Sequence, residues 1–294
     1  MNAIVTGGAG FIGSHLVKKL ISLGWKVTVI DNLSTGSLDN LKGLDYNFIE
    51  EDIQNPIIET WNIKHDVLFH LAAPVSVEES LNNPKKYYDQ ILKGTANIVD
   101  WSLNQRNKDI VIASTAAVYG PLSEMPYSES GPVDPISPYA KAKHMTELLL
   151  KEEYENRTFK GTALRFFNVY GEGQRDEGGY LSAVPVFLKQ YESFEPITVT
   201  GDGKQTRDFV YVGDVVQACI SAYTDTSENG IQILNVGSGQ ETSIMDLAEA
   251  FGGEIVHIEE RNEPKRSVAD ITKIKSMLNW KPFNRLLTWV KRIK

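Results

Sequence analysis

Residues 1–15, Met-Asn-Ala-Ile-Val-Thr-Gly-Gly-Ala-Gly-Phe-Ile-Gly-Ser-His, decide how the rest of the chain folds. Residues 2–6 are a short apolar run, long enough for one buried strand. A glycine-rich turn follows at Gly7, Gly8, Gly10 and Gly13. From Ser14 onward, apolar Leu16, Val17, Leu20 and Ile21 recur at helical spacing. Residues 26–30 (KVTVI) read as a second strand, which ends on Asp31. Strand, glycine turn, helix, strand and acid is the order that a dinucleotide-binding βαβ unit requires.

Each residue type there has a physical role. Gly8 is expected to allow the tight turn off the strand. Gly10 lacks a Cβ, so a pyrophosphate can approach the backbone. Gly13 is expected to let the helix pack closely. The helix N-terminus offers unpaired N–H groups and the positive end of its dipole to phosphate. Asp31 can accept bonds from both ribose hydroxyls and would repel a 2′-phosphate, which points to NAD rather than NADP.

At 294 residues and 41% hydrophobic, the chain can bury a full core. A net charge of −8 argues against nucleic acid or an anionic membrane as the main partner. Cys219 is the single cysteine, so no disulfide can form within the chain, which fits a reducing cytoplasm. The first strand starts at residue 2, so no signal peptide is expected, and no apolar run approaches membrane-spanning length. His15, His65, His70, His144 and His257 have no ligand-like spacing, so no metal is expected.

Further strands are predicted at 46–49, 66–70, 109–114, 162–167, 197–203 and 233–236, and long helical stretches at 84–104 and 138–154. Ser137 and Pro138 supply an N-cap and a first-turn proline. Residues 121–136 read as an irregular loop and 173–180 as a mobile one. This pattern predicts an α/β fold, a doubly wound parallel sheet (Rossmann) with a smaller, interleaved C-terminal lobe. The boundaries are 1–167, which also receives segments of about 206–237, and 168–294. Tyr139 and Lys143, four apart on one helix, share a face. A phenol beside Lys⁺ favours its phenolate. Lowering its pKa to near neutrality takes roughly 4 kcal/mol, which requires a desolvated site. Thr115, at a predicted strand end, stands where ligands bind in such sheets.

The sequence resembles the extended short-chain dehydrogenases/reductases of the NAD-dependent epimerase/dehydratase group. The carrying motifs are TGGAGFIGSH at 6–15, DNLSTG at 31–36, HLAA at 70–73, STAAVYG at 114–120, YAKAK at 139–143, LRFFNVYG at 164–171 and TRDFVYVGDV at 206–215. The resemblance implies that Thr115, Tyr139 and Lys143 are catalytic. It implies NAD contacts from Gly7, Gly10, Phe11, Ile12, Gly13, Asp31, Asn32, Asp52, Ile53, Leu71, Ala72, Ala73, Tyr139 and Lys143. Ser76, Asn168, Arg207, Arg261 and Ser267 would face a nucleotide-sugar substrate, with Arg266 as a rival to Arg261. The helices at 84–104 and 138–154 resemble those that pair two copies into a homodimer.

Two departures stand out. The family often has Asn before Gly94-Thr95, where Ile91 stands, so a polar link to the cofactor loop is expected to be missing. Gly171-Glu172-Gly173-Gln174 replaces a Gly-Pro-Arg-Gln segment. Dehydratases of the group carry an Asp-Glu pair where Ala116 and Ala117 stand, and decarboxylases a nearby Glu; alanine can do no acid–base work. What remains is 4-epimerisation of a nucleotide sugar such as UDP-glucose/UDP-galactose, with UDP-GlcNAc admitted by the small Ser267. A ketoreductase or dehydratase of the family, or a non-catalytic NAD-binding sensor, are the alternatives.

Overall fold

The computed structural model describes residues 1–55, 63–105, 109–121, 124–174, 182–225, 230–260 and 264–294. The first half runs β1 (Asn2–Thr6), α1 (Phe11–Ser22), β2 (Lys26–Asp31), β3 (Asn47–Glu50), β4 (Val67–His70), α2 (Val77–Asn82), α3 (Pro84–Tyr88), α4 (Gly94–Leu103), β5 (Asp109–Thr115), α5 (Pro138–Asn156) and β6 (Lys160–Phe166). The second runs β7 (Asn168–Tyr170), α6 (Ala183–Glu192), β8 (Ile197–Thr200), β9 (Thr206–Tyr211), α7 (Val212–Thr224), β10 (Gly230–Val236), β11 (Glu241–Ser243), α8 (Ile244–Phe251), β12 (Ile255–Ile258), α9 (Thr272–Leu278) and α10 (Leu286–Ile293).

Seven parallel strands form the central sheet in the order β10-β6-β5-β4-β1-β2-β3. The order reverses at β1 and β4, so the crevice beyond their C-terminal ends is the switch point where a doubly wound sheet binds its ligand. Both faces are buried, which is why the strands read as nearly continuous apolar runs. Val5, Val29, Phe69, Val111 and Leu164 pack under α1, α7 and α9. Their neighbours Ile4, Ile30, Leu68, Ile110, Ile112 and Ala163 pack on the other face with Ile98 and Val99 of α4 and Leu150 of α5. The alternation is the period of two that a pleated strand imposes.

The stretch predicted as one helix at 84–104 is a continuous helical run with a π-helical turn at Asp89–Lys93, begun by Pro84 at its first turn. The strand expected over 162–167 is β6, and Asn168 starts β7 in a different sheet. That sheet has the order β11-β9-β7, so the 206–211 segment belongs to it, while β10 joins the main sheet. The smaller lobe has its own core, with Tyr170, Phe187, Phe209, Leu247, Phe251 and Trp289 among its members. Of the expected mobile loop at 173–180, residues 175–180 lie outside the described residues.

Candidate active site

The turn after β1 is crowded by backbone rather than by side chains. Gly7 sits at φ +69°, and a Cβ there would lie 2.7 Å from the Ala72 nitrogen. The left-handed position of the turn is Gly7; Gly8 lies within the turn as expected, and a Cβ on it would lie 2.8 Å from a Val29 methyl. A Cβ on Gly13 would lie 2.1 Å from the Gly7 oxygen, so this glycine brings α1 onto the turn. Among the described residues, a Cβ on Gly10 would meet one atom, the Gly7 oxygen at 3.2 Å. The space beyond it is open, as an approaching pyrophosphate needs. No side chain caps α1 at Gly10, and no acid stands in its first turn, which includes Phe11 and Ile12. These N–H groups are available to an anion.

Asp31 is buried and already oriented. Its carboxylate accepts from the Ala9 nitrogen at 3.0 Å and the Leu33 nitrogen at 2.9 Å. Next to it, Asn32 donates to Asp52 at 3.0 Å. Partial burial raises the pKa of Asp52, but bonds from Gln54 and Asn32 and the charge of Lys93 outweigh it and hold the carboxylate below its ordinary range. The polar link expected to be missing at Ile91 is made by Asn97, whose amide donates to the carbonyls of Ile53, Gln54 and Asn55. Ile91 instead packs with Tyr87, Tyr139 and Ala142.

Across the switch point, the chain after β4 is tied to β1. Leu71 donates to the Thr6 carbonyl at 3.1 Å and Ala72 to the Thr6 hydroxyl at 3.3 Å. His70 lies between Thr6 (2.7 Å) and Thr95 (2.9 Å). Thr95 donates its own proton to the Ile91 carbonyl, so His70 Nε2 donates to Thr95 and Nδ1 accepts from Thr6. Burial and then the charge of Lys143 lower the His70 pKa to about 3, so it is a neutral strut. Ala73 packs beside Tyr87 and Tyr139. An open glycine turn, an uncapped helix end and an oriented acid fit NAD.

On the other side of the crevice, Ser137 caps α5 by accepting from the Ala140 nitrogen at 3.1 Å. The cap starts the helix so that Tyr139 and Lys143 stand one turn apart over the end of β5. Tyr139 is 8% exposed and meets Tyr87 edge-on at 6.4 Å. Lys143 is buried, and its Nζ donates to the Ala113 carbonyl at 2.8 Å. Burial pulls its pKa down to about 8, with the Glu147 carboxylate pulling the other way. Thr115 ends β5, and its hydroxyl accepts from the Ala117 nitrogen at 3.2 Å, which leaves its own proton to donate. Lys143 thus reaches the last residues of β5, where Thr115 stands, and Tyr139, one turn earlier on α5, packs in the cluster that includes Ala117; a phenol, an ammonium and a hydroxyl are the groups that could take and return a proton.

The expected substrate residues are more scattered. Ser76 is buried as the N-cap of α2, accepting from Glu79 at 3.0 Å. Asn168 donates to the Asp208 carbonyl at 3.1 Å, and Arg207, on the neighbouring strand, donates to the Thr206 carbonyl at 2.8 Å. Ser267 is half-buried. Arg261 lies outside the described residues, and Arg266 is forked onto Glu241 at 2.9 and 2.6 Å. Sequence reasoning missed Asp208. This buried carboxylate accepts from Ser238 (2.6 and 2.7 Å), Gly239 (2.9 Å) and Ala269 (3.1 Å), and burial raises its pKa against those bonds. It fastens two separate segments, at 238–239 and at 269, to β9 beside Arg207. Its only sequence signal was its place in TRDFVY, where an acid next to an arginine reads as a surface pair.

Among the described residues no three His, Cys, Asp or Glu converge as metal ligands, and no helix is long and apolar enough to cross a membrane. Residues 3–237 match the model of the NAD dependent epimerase/dehydratase family. A Methanocaldococcus jannaschii protein named provisionally as a UDP-glucose 4-epimerase is 38% identical over 99% of this chain and 96% of its own. A UDP-N-acetyl-α-D-glucosaminuronate decarboxylase of Bacillus cytotoxicus is 33% identical, covering 95% of this chain and 92% of that protein. The solved UDP-glucose 4-epimerase of Thermotoga maritima with UDP-glucose superposes with a TM-score of 0.93 at 34% identity, over 99% of this chain and 96% of that one. The chain belongs to the NAD-dependent epimerase/dehydratase family, an enzyme family whose cofactor is NAD.

Proposed function

On the premise of that membership, we propose that the chain epimerises a nucleotide sugar at C4, interconverting UDP-glucose and UDP-galactose and also taking UDP-GlcNAc/UDP-GalNAc. Bound NAD⁺ supplies the oxidant for the carbinol carbon. The protein manages the proton and the position. Tyr139, as phenolate, takes the proton from the sugar O4. Thr115 donates to that oxygen and holds it while its charge changes. Lys143 stabilises the phenolate in a water-poor site, where one charge is worth several times its value in water. Asn168 and Arg207 hold the diphosphate, with a fixed fork of donors from Arg207. The tether lets the 4-keto sugar present its other face without leaving. The dinucleotide contacts proposed here are those of Gly7, Gly10, Phe11, Ile12, Gly13, Asp31, Asn32, Asp52, Ile53 and 71–73.

The observation that carries this reading is the pairing of Thr115, Tyr139 and Lys143 with Ala116 and Ala117. The two alanines form a short helical turn right after Thr115. Elimination of water needs a further acid and base there, and none is present. The decarboxylase relative keeps a second reading open, which has the same oxidation at C4 and lacks an acid at 116–117 for support.

Incubation with UDP-galactose is expected to yield UDP-glucose with no net NADH. Tyr139→Phe is expected to lower kcat about 10²–10⁴-fold with NAD retained. Carbon dioxide release from UDP-glucuronate without epimerisation would overturn the reading in favour of the decarboxylase. We also propose a homodimer in a reducing cytoplasm. Leu81 of α2 and Met145 and Leu148 of α5 are exposed apolar side chains that a second copy would cover, and Cys219 is a buried thiol. Sedimentation at monomer mass would remove the dimer.

A further inference from the structure

One buried cluster lies directly behind the candidate catalytic face. Ser114 of β5 and Arg165 of β6 are partners in register, and Glu147 of α5 reaches between them. Ser114 donates to Glu147 Oε1 at 2.5 Å. Arg165 donates Nε to Oε1 at 2.9 Å and Nη2 to Oε2 at 2.7 Å. Glu147 is fully buried and Arg165 and Ser114 nearly so. The Arg165 guanidinium also lies over the Tyr119 ring at 4.8 Å.

A buried ion pair of this kind is weak as a source of stability, since apolar side chains often do as well in its place. Its location suggests a different use. Ser114 stands between Ala113, whose carbonyl receives Lys143, and Thr115. Glu147 is one helical turn beyond Lys143. A single carboxylate therefore ties α5 to the strand at the residue between the two points that the proposed chemistry uses.

We propose that Glu147 is a positioning residue for the Tyr139–Lys143 pair: gripped by Ser114 and Arg165, it fixes how α5 sits on the end of β5, with its carboxylate one helical turn beyond Lys143. This rests on the reading of Tyr139 as the base. The groups facing Lys143 are few. Tyr139 and Glu147 come from α5, His70 from β4 and, behind Glu147, Arg165 from β6 and His144 of α5, 3.5 Å from Glu147 Oε2; β5 contributes the Ala113 carbonyl. His70 is neutral. Glu147 is thus the carboxylate that opposes desolvation of Lys143, and its removal also exposes Lys143 to the stranded Arg165 cation.

The test uses the NAD-loaded enzyme labelled with ¹³C-lysine. The ε-carbon resonance of Lys143 is assigned as the one missing from Lys143→Met, and its titration is followed. Glu147→Gln, nearly isosteric, is expected to lower the Lys143 midpoint by roughly one pH unit, a tenfold change in acid dissociation. Glu147→Asp, shorter but still charged, is expected to keep the midpoint near wild type. Both variants are expected to lower kcat with KM within about twofold, as a misplaced catalytic pair would. A merely structural clamp predicts the opposite order, with the shorter Asp disturbing every readout more than Gln. That order, or an unmoved midpoint in Glu147→Gln, overturns the proposal. Should Glu147→Gln not fold, Glu147→Gln/Arg165→Met leaves neither charge stranded; with the Arg165 cation gone too, a smaller lowering of the midpoint is expected, and an unmoved midpoint there overturns the proposal. The titration needs no substrate, so a wild-type enzyme that turns over no nucleotide sugar would defeat the functional reading separately.

Discussion

The two corners of the crevice proposed to meet phosphate are built in contrasting ways. The glycine turn before α1 is made of backbone, and its parts lie close in sequence: Gly7 against Gly13, and Ala9 held by Asp31. The corner at Arg207 is held by side chains reaching across segments far apart in sequence: the Asn168 amide to the Asp208 carbonyl, and the Asp208 carboxylate to the N–H groups of Ser238, Gly239 and Ala269. Backbone donors in a turn too tight for a Cβ have little freedom to rearrange. A side-chain fork held by distant segments can close on a ligand and release it. The difference suits a reaction in which the cofactor stays and the nucleotide sugar comes and goes.

The largest effect is expected where backbone meets backbone. Gly13→Ala puts a methyl 2.1 Å from the Gly7 oxygen, so the turn itself must move. Overpacking of this kind costs about 1–3 kcal/mol, and the enzyme is expected to melt earlier and to purify without NAD. Gly10→Ala meets one atom at 3.2 Å and should melt near wild type while still losing NAD. Equal melting losses in the two would break the distinction between a glycine that packs and one that faces ligand.

In the other corner, Arg207→Gln removes charge-assisted bonds of about 2 kcal/mol, which corresponds to roughly 10- to 100-fold. The loss is expected in KM for UDP-glucose more than in kcat, with NAD retained. A loss confined to kcat would mean that Arg207 serves the chemistry and that the contrast between the corners is drawn in the wrong place.

The α5 face that carries Lys143 and the Arg207 corner are expected to respond to opposite ends of the pH range. Lys143 is charged below its pKa of about 8 and neutral above it, so the proposed stabilisation of the Tyr139 phenolate is expected at neutral pH and is expected to fade as pH rises. kcat is expected to fall above about pH 8, by up to roughly tenfold per unit. Burial raises the pKa of Asp208, so on acidification it takes up its proton earlier than an ordinary carboxylate. Its bonds to Ser238, Gly239 and Ala269 then weaken, and KM is expected to rise at acid pH while kcat holds. Steady-state rates across the range would show whether one limb sits in kcat and the other in KM.

The same contrast explains what could be read from the sequence. The βαβ unit and the Ser137 cap rest on contacts within a few tens of residues, where periodicity and turn chemistry speak directly. Gly8 does stand inside the turn that Gly10 N–H closes on the Gly7 carbonyl, but spacing alone does not say that its neighbour Gly7 takes the positive φ. Asn97 went unnoticed because an asparagine on a helix has no pattern, and its three carbonyl partners lie more than forty residues away. Asp208 and Glu147 were missed for a related reason. Their roles come from burial, and burial of a charge is decided by which segments fold over it.

The smallest effect, and the finest test of the side-chain corner, is expected at Ser267. Its neighbour Val268 receives the Tyr127 N–H at 2.8 Å, and Ala269 is held by Asp208 at 3.1 Å, so the backbone that carries it is pinned on its C-terminal side. A larger side chain there cannot be accommodated by swinging the segment aside; it must take space from whatever lies in front of it. If that space receives the 2-acetamido group, Ser267→Tyr should lower kcat/KM for UDP-GlcNAc about 10-fold and leave UDP-glucose within about twofold, in the range by which pockets sort ligands through size. The competition of the two sugars in one reaction measures the ratio directly. Equal losses on both would mean that the ring obstructs the shared diphosphate path, and the choice between sugars would then have to be sought elsewhere in the crevice.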